Sequence, residues 1–221
     1  MKIDTVIFDL DGTLLNTLDD LHACFNQAIK TFGYPERSIE EIRSFVGNGI
    51  KKAIERALPY QVKDEELDKI VEYFRVYYKE HMFELTKAYE GIIELLRELK
   101  EKGYKLAVVS NKYDKAVKEL VKYYFSKYID IAVGEGFGVN KKPSSDGTLK
   151  AINELNSNIE NCIFVGDSDV DIETAKNVGI PCISVLWGFR DEEFLKSHGG
   201  KIFAKEAKDI IKIIEKNLFL G

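Results

Sequence analysis

The chain has 221 residues, of which 45% are hydrophobic and 31% charged, and its 32 Lys and Arg residues face 37 Asp and Glu residues for a net charge of -5. This composition is ordinary for a globular protein with one domain, or one domain with an insertion. The acidic balance without a basic stripe argues against a nucleic-acid partner, and no apolar run is long enough to span a membrane. With no signal-peptide pattern and three cysteines without CxxC spacing, the sequence predicts a cytoplasmic protein with reduced thiols.

Short apolar runs alternate with longer stretches of 3.6-residue periodicity along most of the chain. Strands are predicted at residues 4–10, 104–110, 129–134, 161–167 and 181–187, with a weaker candidate at 201–204. Helices are predicted between them at residues 91–102, 114–123, 145–156, 170–178 and 206–217. The strands are continuously apolar, which is typical of a parallel sheet covered by helices on both faces. We therefore predict an α/β fold with a doubly wound parallel sheet.

The interval from Thr17 to Tyr89 departs from this alternation. It contains helical patterns at 18–32, 38–45, 49–58 and 64–82, and no convincing strand. An all-helical stretch directly after the first strand reads as a separate inserted domain. We predict an α/β core domain at residues 1–15 and 85–221 and a helical domain at residues 16–84.

Polar side chains follow the ends of four predicted strands. Ligands of open parallel sheets bind at the carboxyl ends of the strands, and residues i and i+2 of a strand share one face. A cluster of like charges at this edge is tolerable only around a cation, and oxygen ligands favour Mg²⁺ with room for a phosphate. The candidate residues are Asp9, Asp11, Gly12, Ser110, Asn111, Lys142, Asp167 and Asp171.

These residues fall into four motifs: DxDGT at 9–13, the strand-end Ser110, Lys142 before a proline, and GDxxxD with Asp167 and Asp171. In this order they resemble the motifs of the haloacid dehalogenase superfamily, and the resemblance covers nearly the whole chain. The helical insertion resembles the type-1 cap of that superfamily. Within it, RSFVGNGIKKAIERAL at 43–58 resembles the phosphoglycolate phosphatase subgroup.

The resemblance implies a Mg²⁺-dependent phosphomonoester hydrolase that forms an aspartyl-phosphate. Asp9 would be the nucleophile, and Asp11 the general acid and then the general base. Asp9, the Asp11 carbonyl and Asp167 would bind the metal. Asp171 would either bind a metal water or orient Lys142, and the sequence leaves these alternatives open.

The resemblance also implies how a phosphate would be held. Ser110, together with the backbone N–H groups of Asn111, Asp11 and Gly12, would bind its oxygens. Lys142 would neutralise the charge between the nucleophile and the anionic substrate. As alternatives, Ser110 could only cap a turn, and Lys142 could be a surface lysine.

Other features of the sequence have simpler readings. We interpret Lys112 and Lys141 as solvated surface lysines and Gly47-Asn48-Gly49 as the N-terminus of a helix. GDSDVDIETA resembles a calcium loop at its first positions, but Ile172 stands where such a loop needs glycine, so we reject that reading.

In the cap, three residues are candidates to meet the carboxylate of a small acid: Arg43, Asn48 and Lys51. For Arg43 and Lys51, ordinary surface solvation is an equal alternative. The substrate would be a small phosphorylated molecule, with phosphoglycolate preferred. The alternatives are a pyrophosphatase or nucleotidase on the same core and, less favoured, a β-phosphoglucomutase, a phosphonate hydrolase or a catalytically silent phospho-ligand binder. We expect a monomer or a weak homodimer.

Overall fold

The computed structural model describes residues 2–136 and 138–219. It divides the chain into two compact units. The α/β unit comprises residues 1–15 and 88–221, and the helical unit comprises residues 16–87. None of the helices in the described ranges is long and apolar enough to cross a membrane, and the three cysteines are free thiols.

The α/β unit contains a six-stranded parallel sheet, and the chain also forms a second, two-stranded sheet. The strands are β1 (Thr5–Phe8), β2 (Leu15–Asn16), β3 (Lys87–Ala88), β4 (Lys105–Tyr113), β5 (Ile131–Glu135), β6 (Cys162–Gly166), β7 (Cys182–Val185) and β8 (Ile202–Ala204). The large sheet has the order β5-β4-β1-β6-β7-β8, with every pair parallel. The predicted α/β fold with a doubly wound parallel sheet is confirmed, including the weak candidate strand, which is β8.

Both faces of the large sheet are buried, as the continuously apolar strands predict. Successive residues of a strand point to opposite faces. Ile7, Ala107 and Phe164 belong to a buried cluster on one face. Their neighbours Val6 and Leu106, which point to the other face, are also completely buried. A polar residue in the middle of these strands would therefore lose its water on either face.

Helices connect the strands and build the helical unit. They are α1 (Leu18–Thr31), α2 (Ile39–Phe45), α3 (Ile50–Ala57), α4 (Asp64–His81), α5 (Ile92–Glu101), α6 (Asp114–Phe125), α7 (Asp146–Glu154), α8 (Asp169–Val178), α9 (Glu192–Ser197) and α10 (Ala207–Glu215). Helix α9 was not predicted from the sequence, because six residues are too few to show a helical period. Its available signal was Asp191, whose side chain caps the helix by accepting the Phe194 N–H at 2.8 Å.

The helical unit has a core of its own between α1 and α4. Phe25 of α1 and Phe74 of α4 pack with ring centroids 4.8 Å apart, and both are buried. Helix α2 begins with a capping box, in which Ser38 and Glu41 each accept the backbone N–H of the other. All four helices begin and end within two residues of the predicted bounds. The role of this unit as a cap stays a prediction.

The chain returns from the helical unit through a segment held by Asp20 of α1. The two carboxylate oxygens of Asp20 accept the backbone N–H groups of Leu85 and Thr86, each at 2.9 Å. These bonds tie the segment before β3 to the helical unit. The second boundary consequently lies after Lys87, rather than after residue 84 as predicted.

Candidate active site

Asp9 directly follows β1 at the carboxyl edge of the large sheet. Its backbone N–H donates a 2.9 Å hydrogen bond to the Val165 carbonyl of β6, which continues the pairing one residue beyond β1. The chain then turns sharply, because the N–H groups of Leu14 and Leu15 both donate to the Leu10 carbonyl at 3.0 Å. The strand-and-turn arrangement leaves Asp9 only 8% exposed.

Gly12 is required in this turn for two reasons. Its φ is 88°, a conformation that residues with a side chain rarely adopt. A Cβ at this position would also lie 2.3 Å from Asp167 Oδ2. The Gly12 N–H donates to the Leu15 carbonyl at 2.9 Å. That donor is thus already used within the turn, contrary to the prediction that it holds a phosphate oxygen.

Lys142 lies between two of the predicted carboxylates. Its Nζ is 2.8 Å from Asp9 Oδ1 and 2.7 Å from Asp171 Oδ1. The contact with Asp171 is a hydrogen bond, whereas Asp9 Oδ1 forms an ion pair without hydrogen-bond geometry. Burial by itself lowers the pKa of Lys142, but attraction to Asp171 and Asp9 outweighs it and raises the pKa above the usual value. The ammonium therefore stays charged.

Asp171 lies in the first turn of α8 and is completely buried. Its Oδ2 accepts hydrogen bonds from the backbone N–H and the Oγ of Ser168, at 3.1 and 2.6 Å. Its Oδ1 accepts from Lys142. Gly166 makes room for this side chain, because a Cβ there would lie 2.3 Å from Asp171 Cγ. Both oxygens of Asp171 are thus held by groups of the protein.

Asp167 follows β6 and is held by the loop after β7. The Phe189 N–H donates to Asp167 Oδ2 at 2.7 Å, and Thr13 Oγ1 donates to Oδ1 at 3.3 Å. Gly188 allows this close approach, because a Cβ there would lie 2.3 Å from Asp167 Cβ and 2.6 Å from the Gly12 carbonyl. This loop was not predicted to belong to the site, although Gly188, directly after the predicted strand 181–187, was a usable signal.

The side chain of Asn111 bonds to the backbone of Lys142. Asn111 Oδ1 accepts the Lys142 N–H at 2.6 Å, and Asn111 Nδ2 donates to the Lys142 carbonyl at 3.0 Å. Both residues are buried. This reciprocal pair of bonds fixes the segment that carries the lysine. Only the Asn111 backbone was predicted to take part in the site, because nothing in the local sequence shows which distant backbone a side-chain amide will bond to.

Ser110 and Lys112 lie near the carboxyl end of β4, where the register with β5 becomes irregular. Ser110 is 5% exposed, and its Oγ accepts the Lys112 N–H at 3.3 Å. Lys112 Nζ lies 2.8 Å from Asp11 Oδ1. The interpretation of Lys112 as a solvated surface lysine is therefore wrong, whereas Lys141 is exposed as predicted.

The carboxylates of this edge are crowded. Asp9, Asp167 and Asp171 each offer one oxygen, and these three atoms lie within 4.8 Å of one another. Burial raises the pKa of Asp9 to about 7; Lys142 opposes the shift, and repulsion from Asp171 and Asp11 adds to it. Burial also raises the pKa of Asp167 well above its usual value, with further repulsion from Asp171 and Asp9.

This donor set fits a divalent cation. Four aspartates line this edge and bring four negative charges when all are ionised: Asp9, Asp11, Asp167 and Asp171. Lys142 and Lys112 bring two positive charges, so two negative charges remain. Buried carboxylates are costly without a partner, and oxygen ligands of this kind suit a hard divalent metal ion. A bound cation would lower the pKa of Asp9.

The three cap candidates lie in the helical unit. Arg43 is in the last turn of α2 and is exposed, and Asn48 is half-buried before α3, whose N-cap is Gly49. Lys51 Nζ lies 2.6 Å from Asp68 Oδ1, with both side chains more than half exposed. The interpretation of the glycine pair around Asn48 as a helix N-terminus is confirmed. The ion pair of Lys51 with Asp68 is exposed, as the alternative of ordinary surface solvation predicts for Lys51.

A family profile for haloacid dehalogenase-like hydrolases matches residues 6–185. The chain belongs to this family. It is a phosphatase, that is, a phosphoric monoester hydrolase. The match spans all four motifs and confirms the resemblance to the haloacid dehalogenase superfamily.

Curated relatives and solved structures cover nearly the whole chain. A phosphoglycolate phosphatase of Aquifex aeolicus (strain VF5) is 33% identical over 214 residues, which are 96% of this chain and 97% of that protein. Pyrophosphatase PpaX of Listeria welshimeri is 30% identical over 216 residues, with 96% and 97% covered. A crystal structure of a candidate phosphoglycolate phosphatase from Lactobacillus delbrueckii subsp. bulgaricus is 35% identical, with a TM-score of 0.93 and 97% and 99% covered.

Proposed function

We propose that this phosphatase hydrolyses the phosphate ester of a small acid, with phosphoglycolate as the preferred substrate and Mg²⁺ as the metal. The observation that carries the proposal is the buried ion pair of 2.8 Å between Asp9 Oδ1 and Lys142 Nζ at the carboxyl edge of the sheet. A buried carboxylate beside a fixed ammonium suits a nucleophile that must stay ionised near an anionic substrate.

In the first step, a carboxylate oxygen of Asp9 attacks phosphorus in line with the leaving alkoxide. The new bond joins Asp9 to phosphorus, the bond from phosphorus to the alkoxide breaks, and Asp11 gives its proton to the alkoxide. In the second step, Asp11 takes a proton from a water molecule, which attacks the aspartyl-phosphate. Phosphate leaves, and Asp9 is a carboxylate again. Asp11 thus returns to its protonated state once per turnover.

The groups around Asp9 would hold and neutralise the phosphate. Ser110 Oγ and the backbone N–H of Asn111 would donate to its oxygens, and Lys142 would balance their charge. Gly12 is left out of this set because its N–H donates to the Leu15 carbonyl. Its role would be the close approach of the turn to Asp167.

Asp9, the Asp11 carbonyl and Asp167 would hold Mg²⁺, which when bound neutralises the phosphate and the carboxylates. For Asp171 we favour the alternative in which it orients Lys142. The support for this choice is that its Oδ1 bonds to the ammonium and its Oδ2 to Ser168.

The choice of phosphoglycolate is supported by the relative of Aquifex aeolicus, whose name states that substrate. Arg43, Asn48 and Lys51 would bind the carboxylate of the substrate. The second candidate is pyrophosphate, which is favoured by the relatives named pyrophosphatase PpaX at 30% identity. Cytoplasmic location and a monomeric or weakly dimeric state remain predictions from the sequence.

The test is steady-state phosphate release with Mg²⁺ from phosphoglycolate, pyrophosphate, a nucleoside monophosphate, a sugar phosphate and p-nitrophenyl phosphate. We expect the highest kcat/KM for phosphoglycolate, with activity lost in EDTA and restored by Mg²⁺. The Asp9→Asn protein, prepared identically, controls for contaminating phosphatases. Preference for pyrophosphate or the nucleotide would overturn the substrate proposal and keep the catalytic one. Full activity in EDTA would show that the reaction does not need a metal ion.

A further inference from the structure

Lys112 has a contact that the reaction outlined above does not use. Its Nζ lies 2.8 Å from Asp11 Oδ1, and the exposed fractions of the two side chains are only 9% and 18%. Side chains so far removed from water interact more strongly than an exposed pair, which is screened by solvent. A lysine side chain also loses much rotational freedom when it is held in one place. An ordinary surface lysine does not have these properties.

The contact decides which oxygen of Asp11 can carry a proton. An ammonium group has only hydrogen-bond donors, so the carboxyl oxygen that faces it must be an acceptor. Oδ1 of Asp11 faces Lys112. The transferable proton of Asp11 therefore belongs on Oδ2 while this pair is intact. A carboxyl group that can rotate would instead present either oxygen to the leaving group.

Two neighbouring residues of β4, Ser110 and Asn111, also have fixed positions at this edge of the sheet. Asn111, one residue before Lys112, fixes the backbone of Lys142 through two hydrogen bonds. Ser110 is oriented by the Lys112 N–H. Two consecutive residues at the end of β4, Asn111 and Lys112, are thus tied to Lys142 and Asp11, and Ser110 is tied to the backbone of Lys112.

We propose that Lys112 is a positioning residue that holds Asp11 Oδ1, so that Oδ2 gives its proton to the leaving alkoxide. This inference rests on the proposed role of Asp11 as the general acid. It predicts a dependence on the leaving group. An alkoxide needs the proton in order to leave, whereas p-nitrophenolate, a far weaker base, leaves without it.

The test compares kcat/KM of the wild type and Lys112→Met with three substrates. Phosphoglycolate and 2-hydroxyethyl phosphate both release an alkoxide, but only phosphoglycolate has a carboxylate; p-nitrophenyl phosphate releases a phenolate. kcat/KM reports the steps up to the transfer of phosphorus to Asp9, so the later hydrolysis of the aspartyl-phosphate does not enter. Positioned general acids contribute about 10²–10⁴-fold. We expect the loss for both alkyl esters to exceed the loss for p-nitrophenyl phosphate by about tenfold or more.

Two outcomes would overturn the inference. Equal losses with all three substrates would show that Lys112 supports the site in general. A loss confined to phosphoglycolate would show that Lys112 binds the substrate carboxylate. Lys112→Arg should restore part of the alkyl-ester activity, because it keeps a cation at this position. Lys115→Met, which removes an exposed lysine three residues later, should have no effect on any substrate. Lys112→Gln replaces the methionine variant if the latter does not fold.

Asp11→Asn separates this inference from the proposed function. If Asp11 is the general acid, Asp11→Asn must show the same dependence on the leaving group, and a larger one. If Asp11→Asn loses activity equally with all three substrates, the role of Asp11 itself fails. If only Lys112→Met lacks the dependence, the role of Asp11 stands and the inference about Lys112 fails.

Discussion

Buried carboxylates have different surroundings in the two units of the protein. Within residues 16–87, all of which the structure describes, Asp20 is the single buried charged side chain, and both its oxygens accept backbone N–H groups. In the α/β unit, Asp9 and Asp167 are buried against other carboxylates, and burial raises their pKa values. Burial of a carboxylate is thus compatible with a purely structural role. Burial of several carboxylates against one another indicates a site for a cation and a reaction.

The α/β unit itself contains the same contrast. Asp114 at the start of α6 is buried, and it accepts the Gly134 N–H at 3.0 Å and pairs with Lys118 at 2.7 Å. Its environment resembles that of Asp20 more than that of Asp9. Four predictions follow, from the largest expected effect to the smallest; the first three test this contrast, and the fourth concerns the exposed pair of Lys51 and Asp68.

Asp9→Asn should lower kcat by at least about a thousandfold, because the amide cannot form the aspartyl-phosphate. The protein should still fold, since the amide relieves repulsion from the neighbouring carboxylates. Phosphate release and circular dichroism measure the two effects. The matched control is Asp114→Asn, which should lower stability and leave kcat/KM near the wild-type value. Activity of Asp9→Asn within tenfold of the wild type would end its assignment as the nucleophile.

Asp20→Ala should destabilise the protein by about 3 kcal/mol, because two hydrogen bonds to a charged group are lost and two backbone N–H groups are left without that acceptor. Denaturant unfolding measures the change in free energy. Hydrogen exchange should accelerate at Leu85 and Thr86. Asp19→Ala, at the half-buried neighbouring position, is the control and should cost less than about 0.5 kcal/mol. Unchanged exchange at the two amides would contradict the structural role of Asp20.

Gly188→Ala should weaken Mg²⁺ binding by about 10–100-fold, because the added Cβ displaces Asp167 or the loop that supports it. The rise in Tm on addition of Mg²⁺ measures binding independently of activity. Gly134→Ala is the control: its Cβ would meet the Asp114 backbone at 2.4 Å, so it should lower Tm without changing the response to Mg²⁺. The same response in both variants would show that the loop after β7 does not support the metal site.

Lys51→Ala should raise KM for phosphoglycolate by up to about fivefold with kcat unchanged, if Lys51 meets the substrate carboxylate. Asp68→Ala should lower KM, because it releases Lys51 from its ion pair. Opposite changes of KM in the two variants would therefore show that Lys51 binds the substrate. An unchanged KM in both would assign Lys51 to the surface pair alone.

From the sequence alone, the strand-and-helix order, the parallel sheet and the gathering of Asp9, Lys142, Asp167 and Asp171 at one edge could all be predicted. The reason is physical: strands buried on both faces are continuously apolar, and the carboxyl ends of parallel strands meet at the same edge. These features depend on short segments and on a rule that applies to every open parallel sheet.

Only the tertiary structure decided the groups that hold the site. Lys112 and Asp11 are 101 residues apart, and the side chain of Asn111 and the backbone of Lys142 are 31 apart. The loop at Phe189 reaches Asp167 across 22 residues. A side chain's local sequence states which bonds it can form, whereas its actual partner depends on which distant backbone or carboxylate the fold brings within 3 Å. For that reason Lys112 looked like a surface lysine until the end of β4 was placed beside the turn after β1.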